Sequence, residues 1–301
     1  MAKEHWYFLA GLLAVLLPLA LLLAVKKLQL LETRPDTRIP YAQFAGEPLH
    51  LHAFRAQTQQ AAAPALLLFH GGRWLYGGPQ SLYPQCRYFA ARGYHCFSAE
   101  YRLGSQNQPD VPGALGDAAA ALAYLQDHAT EMGIDARRIY AGGGSSGGHL
   151  AAGLGAGLGA EASPGSKAVT DPGRDPTAPE SGKASSRPAG LVLYNPMLDL
   201  SPGTPDHHLV RDHWRAVSPY HHIDSRFPPT LILNGTQDPE VPVASVEAFC
   251  SAMRAVGGVC ELELYAGQSH GFYHFSEGRN PWFERSSRRA WEFLQGLLGS
   301  G

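Results

Sequence analysis

Apolar runs of strand length alternate with amphipathic stretches along most of this chain, and this alternation constrains its fold more than any other feature. We expect strands at residues 49–55, 65–70, 94–101, 138–142, 190–195, 230–235 and 260–265. Runs such as ALLLF and LVLY are continuously apolar, which is typical of strands covered on both faces. Helical patterns between them, as at 116–132 and 243–256, predict an α/β fold with a mostly parallel central sheet of about eight strands and helices on both faces.

Size and charge narrow the classes of function. The chain has 301 residues, 45% of them hydrophobic, which suffices for one α/β domain with a sizeable core. Its net charge is -2 and it has no run of Lys or Arg, so we expect no nucleic-acid partner. Five histidines lie between residues 207 and 222, but no Cys or carboxylate stands at metal-ligand spacing from them. We therefore expect no metal.

The uncharged segment at residues 6–25 is long enough to span a membrane. As a helix it would measure about 30 Å, the thickness of a bilayer core. It is followed by Lys26 and Lys27 and has no clear Ala-x-Ala cleavage site, which favours an uncleaved anchor over a signal peptide. We expect residues 1–38 to form this anchor or signal segment with its linker, and residues 39–301 to form the folded domain. More Lys and Arg follow the segment than precede it, which favours a cytoplasmic domain.

A low-complexity stretch at residues 160–188 lacks large apolar side chains and is predicted to be a flexible insertion. It joins the helix after a glycine-rich turn to the next strand, so it should emerge at the amino ends of the strands. Ligands of open α/β sheets bind at the carboxyl ends. We therefore do not expect the insertion to be an active-site lid.

Four cysteines form two similar pairs, Cys86 with Cys96 and Cys250 with Cys260. In each pair one residue is expected on a helix and the other on the strand that follows. Such neighbours could form disulfides if the domain is exported. Four buried free thiols are the alternative, and the sequence leaves both open.

The stretch RIYAGGGSSGGHLAA, at residues 138–152, reads as a strand running through glycines into a helix. It matches both G-x-G-x-x-G, a phosphate-binding pattern, and G-x-S-x-G, which exposes a nucleophile. A dinucleotide site would follow the first strand and have an acidic residue about 20 residues later at the end of the next strand. Here at least three strands come first, and Asp171 lies in the insertion. The nucleophile is therefore favoured, and no cofactor is expected.

Residues suited to assist a serine nucleophile follow later strands. Asp238 comes after the strand at 230–235, and His270 after the strand at 260–265, which gives the order Ser, Asp, His. Upstream, the strand at 65–70 runs into HGGRW at residues 70–74, whose glycine N–H groups could bind an oxyanion. All of these positions fall at the carboxyl ends of predicted strands, where they could share one site.

Together, the motifs HGGRW, YRL at 101–103, GIDARRI at 133–139, GGSSGGHLAA, PPTLILNGTQDPEVP at 228–242 and GQSHGF resemble the α/β-hydrolase superfamily. More narrowly, they resemble the hormone-sensitive-lipase-like carboxylesterases and the acetylxylan or feruloyl esterases. The resemblance covers residue 39 to the end of the chain, except for the insertion. The sequence departs from the family at Arg73, where many members have a third glycine, and at Ser146, where alanine is usual.

The resemblance implies a role for each motif residue. The family pattern G-x-S-x-G-G-x-L fits only if Ser145, rather than Ser146, is the nucleophile. His270 would be the general base, and Asp238 would orient it, with Glu240 and Asp199 as competing acids. The predicted oxyanion donors are the N–H groups of Gly71, Gly72 and Ser146, with His70 supporting their loop.

The expected activity is hydrolysis of short-chain acyl esters through an acyl-enzyme, on small molecules or on acetyl or feruloyl groups of polysaccharide. An α/β-hydrolase without a large cap domain is expected, because about 24 residues separate Val25 from the first strong strand. Trp74, Tyr76 and Met197 are candidates for the substrate pocket. The alternatives are an arylformamidase- or peptidase-like amide hydrolase and a non-catalytic, membrane-tethered binding module. The side of the membrane stays open, because export-linked family members oppose the charge rule.

Overall fold

The computed structural model describes residues 34–58, 60–106, 108–159, 167–168, 187–276 and 280–299. The chain divides into two compact units, Met1–Pro35 and Asp36–Gly301, and every element given below lies in the second. The predicted membrane segment at 6–25 lies outside the described residues, as does most of the predicted insertion at 160–188. Within the described ranges, no helix has the length and apolar character needed to cross a bilayer.

Nine strands of the described chain form one sheet in the order β6-β1-β2-β4-β3-β5-β7-β8-β9. The six strands from β4 to β9 in this order are parallel, whereas β1, β2 and β6 pair in antiparallel fashion. Their bounds are β1 Thr37–Phe44, β2 Glu47–Phe54, β3 Ala63–Phe69, β4 His95–Ala99, β5 Ile134–Gly144, β6 Lys167–Ala168, β7 Leu191–Tyr194, β8 Thr230–Gly235 and β9 Cys260–Tyr265. The prediction of a mostly parallel sheet of about eight strands is confirmed, with the two-residue β6 as a ninth.

The described helices follow the strands in the alternation that the sequence predicts. The α-helices are α1 Tyr83–Ala90, α2 Val111–Asp127, α3 Ser146–Ala156, α4 His207–Val210, α5 Trp214–Val217, α6 Val243–Ala255 and α7 Pro281–Leu298. Short 3-10 helices span Pro79–Leu82, Arg211–His213 and Pro219–His222. The connection from β7 to β8 contains only helices of three or four residues, so it adds no large cap domain to the described chain.

Two apolar layers cover the two faces of the sheet. Strand β3 illustrates this, because Leu67 packs in the layer with α2, α3 and α6, and its neighbours Leu66 and Leu68 pack in the layer with α1 and α7. All three leucines are buried. Successive side chains of a strand point to opposite faces, so a continuously apolar strand is what a sheet covered on both sides requires. The predicted helices on both faces are therefore confirmed.

Several bounds differ from the sequence-based expectation for local reasons. Helix α2 begins at Val111 rather than residue 116, because the Asp110 side chain accepts the Gly113 N–H at 2.9 Å and caps it. The folded unit begins at Asp36 rather than residue 39, because β1 starts at Thr37 and pairs along its length with β2. The sequence does not predict strand β1, because its alternating, half-polar pattern resembles a linker.

Within the predicted insertion, Lys167 and Ala168 pair with Gln43 and Ala42 of β1 at the edge of the sheet. Both cysteine pairs form disulfides. Cys86 of α1 is bonded to Cys96 of β4, and Cys250 of α6 is bonded to Cys260 of β9. Each disulfide therefore links a helix to the strand that follows it.

A buried ion pair connects the YRL motif to α2. Arg102 donates from Nε and Nη2 to the two carboxylate oxygens of Asp117, each at 2.7 Å, and both side chains are almost fully buried. The backbone N–H of Arg102 donates to the same carboxylate. Removal of Arg102 would leave the buried Asp117 carboxylate without its cation, whereas Arg102 also pairs with Asp110 at 3.2 Å. The arginine of the YRL motif therefore has a structural role.

Candidate active site

Ser145 is the single residue between the end of β5 and the start of α3, and it forms the turn that joins them. Its backbone angles are φ 55° and ψ -122°, a conformation that residues other than glycine rarely adopt and that is often found at functional sites. The turn is held on both sides, because the Ser145 N–H donates to Tyr194 O at 2.9 Å and the Ser145 carbonyl accepts from His149 N at 3.0 Å. This strained strand-to-helix turn is the geometry of a nucleophile elbow.

The glycine two residues after Ser145 is required by close backbone approach. A Cβ added at Gly147 would overlap the carbonyl oxygens of Phe69 and His70, which belong to the end of β3 and the loop after it. A Cβ added at Gly143, two residues before the serine, would lie 2.6 Å from the carbonyl carbon of Gly147. The small residues of G-x-S-x-G therefore let α3 begin directly against β3 and β5.

Asp238 and His270 follow β8 and β9, which are neighbours in the sheet. His270 Nδ1 lies 2.8 Å from Asp238 Oδ2. The other carboxylate oxygen, Oδ1, accepts the backbone N–H groups of Glu240 and Val241, both at 2.9 Å. The Asp238 side chain is fully buried, whereas 19% of the His270 side chain is exposed. The carboxylate is thus fixed by three donors and presents one oxygen to the imidazole.

Asn195, which follows β7, contacts the other nitrogen of the imidazole. Its Nδ2 lies 3.3 Å from His270 Nε2, and its Oδ1 accepts the Gly271 N–H at 3.2 Å. Because Gly271 must donate, the amide orientation is determined and Nδ2–H points at the histidine. An Nε2 that accepts and an Nδ1 that donates to Asp238 define the tautomer of a general base. The sequence reasoning did not select Asn195, although its position after a buried strand was a signal.

The Ser145 hydroxyl donates to Met197 Sδ at 3.8 Å. Among the contacts of the described residues, no hydrogen bond joins it to His270. Both residues line one cleft, and rotation about the Cα–Cβ bond of Ser145 is the movement that would redirect the hydroxyl. Hydrogen bonds of this kind are often absent before substrate binds. Met197 is buried and is not among the residues that line the cleft, so its place in the substrate pocket stays a prediction.

The HGG loop after β3 lines the same cleft. Gly72 has φ 128°, and a Cβ there would overlap the Tyr76 carbonyl, so only glycine fits. Ser146 is the first residue of α3, and its N–H therefore has no acceptor within the helix. Gly71 and Gly72 line the cleft beside Ser145. These positions are those that the sequence predicts for oxyanion donors.

His70 supports this loop and is held neutral. Its ring stacks on Tyr101 with 4.4 Å between centroids, and Tyr101 donates its hydroxyl hydrogen to the His70 carbonyl at 2.8 Å. His70 Nδ1 lies 2.8 Å from the Gly71 carbonyl oxygen. Burial lowers the pKa of His70 to about 4, against the weaker effects of that hydrogen bond and of Glu100. A neutral, packed imidazole fits a supporting role.

The cleft has a volume of about 350 Å³, and its lining includes Ser145, His270, Gly71, Gly72 and Tyr76. Tyr76 is 58% exposed at its rim. Trp74 is fully buried instead, and it packs edge-on against His149 with 4.9 Å between ring centroids. This corrects the expectation that Trp74 lines the pocket. Its φ of 59° turns the backbone of the loop, and the indole fills the core under α3.

The other two candidate acids, Asp199 and Glu240, do not contact Nδ1 of His270. Asp199 lies 3.9 Å from His221 Nδ1, away from His270. Glu240 lies at the cleft, but its Oε2 is 3.7 Å from Nε2 of His270, on the side opposite Asp238. Asp238 alone of these three carboxylates contacts Nδ1. Within the described ranges, no group of three or more His, Cys, Asp or Glu side chains is arranged to hold a metal ion.

A model of the alpha/beta hydrolase fold matches residues 66–274, which include all of the site residues above. The chain therefore belongs to the alpha/beta hydrolase fold family, and the resemblance drawn from its motifs is confirmed.

The relatives of this chain include proteins named as esterases and as a probable carboxylic ester hydrolase. Esterase LipC of Mycobacterium tuberculosis is 30% identical over 227 residues, which are 70% of this chain and 53% of LipC. The probable carboxylic ester hydrolase LipM of the same organism is 29% identical over 73% of this chain and 52% of its own length. The chain thus spans about half the length of these curated relatives. A solved esterase of the planctomycete Thermogutta terrifontis with propionate bound is 34% identical, with a TM-score of 0.75 over 88% of this chain and 96% of its own.

Proposed function

We propose that this chain is a serine carboxylic ester hydrolase that acts on short-chain acyl esters through an acyl-enzyme. The observation that carries the proposal is the contact of His270 Nδ1 with Asp238 at 2.8 Å, at a cleft shared with Ser145 and the HGG loop. The curated relatives are named as esterases, which supports the same class of reaction.

In the first half-reaction, the Ser145 hydroxyl turns from Met197 toward His270 and replaces the Asn195 N–H at the lone pair of Nε2. It then gives its proton to Nε2 as Oγ forms a bond to the ester carbonyl carbon. The carbonyl oxygen becomes an oxyanion, which the N–H groups of Gly71, Gly72 and Ser146 stabilise. Collapse breaks the bond to the alcohol oxygen, and the imidazolium protonates this leaving group.

In the second half-reaction, water attacks the acyl-enzyme and His270 accepts its proton. The new tetrahedral intermediate releases the carboxylic acid, and Ser145 regains its proton from Nε2. Asp238 stays ionised throughout, holds Nδ1 as the donor and stabilises the imidazolium. Each oxyanion donor contributes about 10²–10³-fold to turnover in comparable sites. No step requires a cofactor.

The size of the cleft supports short acyl groups. A volume of about 350 Å³ is at the lower end of the range for small-molecule sites, about 300–1,000 Å³. The Thermogutta terrifontis esterase has been solved with propionate and with butyrate bound, which supports acyl groups of similar length here.

Acetyl or feruloyl esters on polysaccharide are the finer proposal. Tyr76 is 58% exposed at the rim of the cleft, and an exposed aromatic ring there offers a surface for a sugar ring. Replacement of Tyr76 by alanine is then expected to slow deacetylation of acetylated xylan more than hydrolysis of p-nitrophenyl acetate. An equal effect on both substrates would remove the support for a polysaccharide.

The proposed function is tested with p-nitrophenyl esters of increasing chain length and with an aryl formamide. We expect the acetyl to butyryl esters to have the highest kcat/KM and the formamide to be a poor substrate. Labelling with a fluorophosphonate probe, located by peptide mass, should modify Ser145. The absence of both hydrolysis and labelling in folded protein would favour a binding module, and preference for the formamide would favour amide chemistry.

A further inference from the structure

Three charged side chains, Arg73, Glu240 and Asp206, lie close together at the mouth of the cleft. The sequence does not predict these contacts. Arg73 Nη2 donates to Glu240 Oε2 at 3.2 Å, and Arg73 Nε lies 3.6 Å from Asp206 Oδ1. The same Glu240 oxygen lies 3.7 Å from His270 Nε2. One carboxylate oxygen is therefore shared between a guanidinium and the imidazole nitrogen that must receive the Ser145 proton.

This position of Glu240 opposes the proposed chemistry unless its charge is compensated. His270 Nε2 must be unprotonated to act as a base, and a carboxylate within about 4–6 Å of an imidazole favours the protonated form. A protonated Nε2 could also donate to Glu240 instead of to the leaving alcohol. Arg73 limits both effects, because it binds the carboxylate oxygen and places a positive charge beside it.

Arg73 is built into this position. Its backbone has φ 54°, and the turn that carries it is closed by N–H groups of Leu75 and Tyr76, which donate to Gly72 O at 3.0 and 3.1 Å. Burial lowers the pKa of Arg73, and Asp206 and Glu240 more than offset this, so the guanidinium stays charged. Arg73 and Glu240 are 167 residues apart in the chain.

Other groups also face His270 and must be considered. Asp238 binds Nδ1, and Asn195 Nδ2 donates to Nε2. Burial, and then the neighbouring His270, lower the pKa of His274. Asp206 lies beyond Arg73, and its pKa is raised by burial against the opposing effect of Arg73. All of these groups are present in every variant below, but Arg73→Gln also removes the contact with Asp206. The Glu240→Gln and double variants are therefore needed to separate the effect of Glu240 from that of Asp206.

We propose that Arg73 is a positioning residue that keeps Glu240 from becoming the counter-ion of protonated His270, and that it thereby sets the acid limit of activity. The proposal rests on the proposed ester hydrolysis for its kinetic test. It also gives a role to Arg73, which stands where many members of the family have a third glycine.

The kinetic test compares Arg73→Gln, Glu240→Gln and the double variant, with kcat/KM for p-nitrophenyl acetate measured from pH 4.5 to 9. The acid limb is the part of the pH profile in which kcat/KM falls as pH is lowered. In Arg73→Gln it should move up by about 0.5–1 pH unit, which is a three- to tenfold loss of kcat/KM at pH values below the limb. In Glu240→Gln it should move down. In the double variant the limb should lie close to that of Glu240→Gln, because Arg73 acts mainly through that carboxylate, and its contact with Asp206 at 3.6 Å is the remaining route. Arg73→Lys should retain most of the wild-type position.

A matched control is Arg138→Gln. Arg138 has the same side-chain exposure as Arg73, 34%, and pairs with Asp135 at 2.7 Å outside the cleft. Its acid limb should coincide with that of the wild type. The proposal is overturned if the acid limb of the pH profile does not move in Arg73→Gln. It is also overturned if Arg73→Gln moves the limb as far in the Glu240→Gln background as in the wild type. If Arg73→Gln unfolds in thermal scans, the test rests on the other two variants. The acid limb should still move down in Glu240→Gln and stay near the wild-type position in Arg73→Lys.

A second measurement does not depend on turnover. The His270 imidazole can be titrated by NMR, with its signal assigned by comparison with His270→Gln. We expect its pKa to rise in Arg73→Gln and to fall in Glu240→Gln. If the wild type hydrolyses no ester, the proposed function fails, but this titration still decides whether Arg73 controls the protonation of His270.

Discussion

Asp238 and His270 are 32 residues apart in the chain, and their side chains meet at 2.8 Å because they follow adjacent strands of the sheet. The remaining oxygen of Asp238 is occupied by two backbone N–H groups. The carboxylate therefore cannot rotate without losing three hydrogen bonds, and the imidazole is held in one orientation.

The first prediction concerns this carboxylate. Asp238→Asn should lower kcat for p-nitrophenyl acetate by about 10³–10⁴-fold, because an amide that donates to Nδ1 forces the hydrogen onto Nε2 and removes the base. Asp135→Asn, at an ion pair away from the cleft, should leave kcat within about twofold. A loss of less than tenfold in Asp238→Asn would contradict the proposed role of Asp238.

The tandem serines provide a second prediction. Ser145→Ala should abolish measurable ester hydrolysis and labelling by paraoxon, whereas Ser146→Ala should only reduce the rate, because Ser146 contributes its backbone N–H rather than its side chain. The Thermogutta terrifontis esterase has been solved phosphorylated by paraoxon, which makes this reagent a suitable probe. Mass spectrometry of the labelled peptide measures the outcome, and the reverse pattern would assign the nucleophile to Ser146.

The close approach at the elbow predicts a strong effect of one added carbon. Gly147→Ala should lower the free energy of unfolding by about 2–3 kcal/mol, since its Cβ would overlap backbone oxygens of β3 and the loop after it. Gly296→Ala on α7 is the control, because a Cβ there meets no atom within 4 Å apart from the backbone of its own helix, and it should change stability by less than about 1 kcal/mol. Urea unfolding of both variants tests the contrast, and equal stabilities would refute the packing argument.

The two disulfides predict a dependence of stability on reduction. Each joins residues 10 positions apart, and loss of a closed loop of this size costs about 2–3 kcal/mol in the chain-entropy model. Reduction should therefore lower Tm by several degrees. A double Cys86→Ala, Cys96→Ala variant should lose part of this sensitivity and keep the other bond. Detection of four free thiols in unreduced, unfolded protein would contradict both bonds.

Two buried, neutral histidines, His149 and His70, are expected to make the protein less stable in mild acid. Burial lowers the pKa of His149 to about 4, and a hydrogen bond with Val217 O at 2.6 Å only partly opposes it. An unfolded histidine has a pKa of about 6.5, so between pH 6.5 and 4 the unfolded chain binds more protons and stability falls as pH falls.

The effect can amount to about 3 kcal/mol for His149, and His70 should contribute in the same direction because burial also lowers its pKa to about 4. The free energy of unfolding in urea at pH 7, 5.5 and 4.5 measures it. His149→Gln should reduce the slope between these pH values. A variant whose stability falls with pH in parallel with the wild type would show that His149 is not responsible.

Local patterns in the sequence determined much of the fold and of the candidate site. Continuous apolar runs determined the central strands, because a strand buried on both faces needs apolar side chains at every position. The small residues around Ser145 determined a tight strand-to-helix turn, because larger ones would overlap the backbone of β3. Asp238 and His270 could be selected because each directly follows a strand.

Contacts between distant residues were decided only by the tertiary structure. The sequence gives no distance between Arg73 and Glu240, or between Asn195 and His270, because these depend on the order in which the strands pair. Trp74 could not be assigned to the core from its motif, since the direction of its side chain depends on a positive φ in the loop. Strand order brings the carboxyl ends of β3, β5, β7, β8 and β9 together. Residues that follow β3, β5, β8 and β9 therefore line one cleft, and Asn195 after β7 contacts His270.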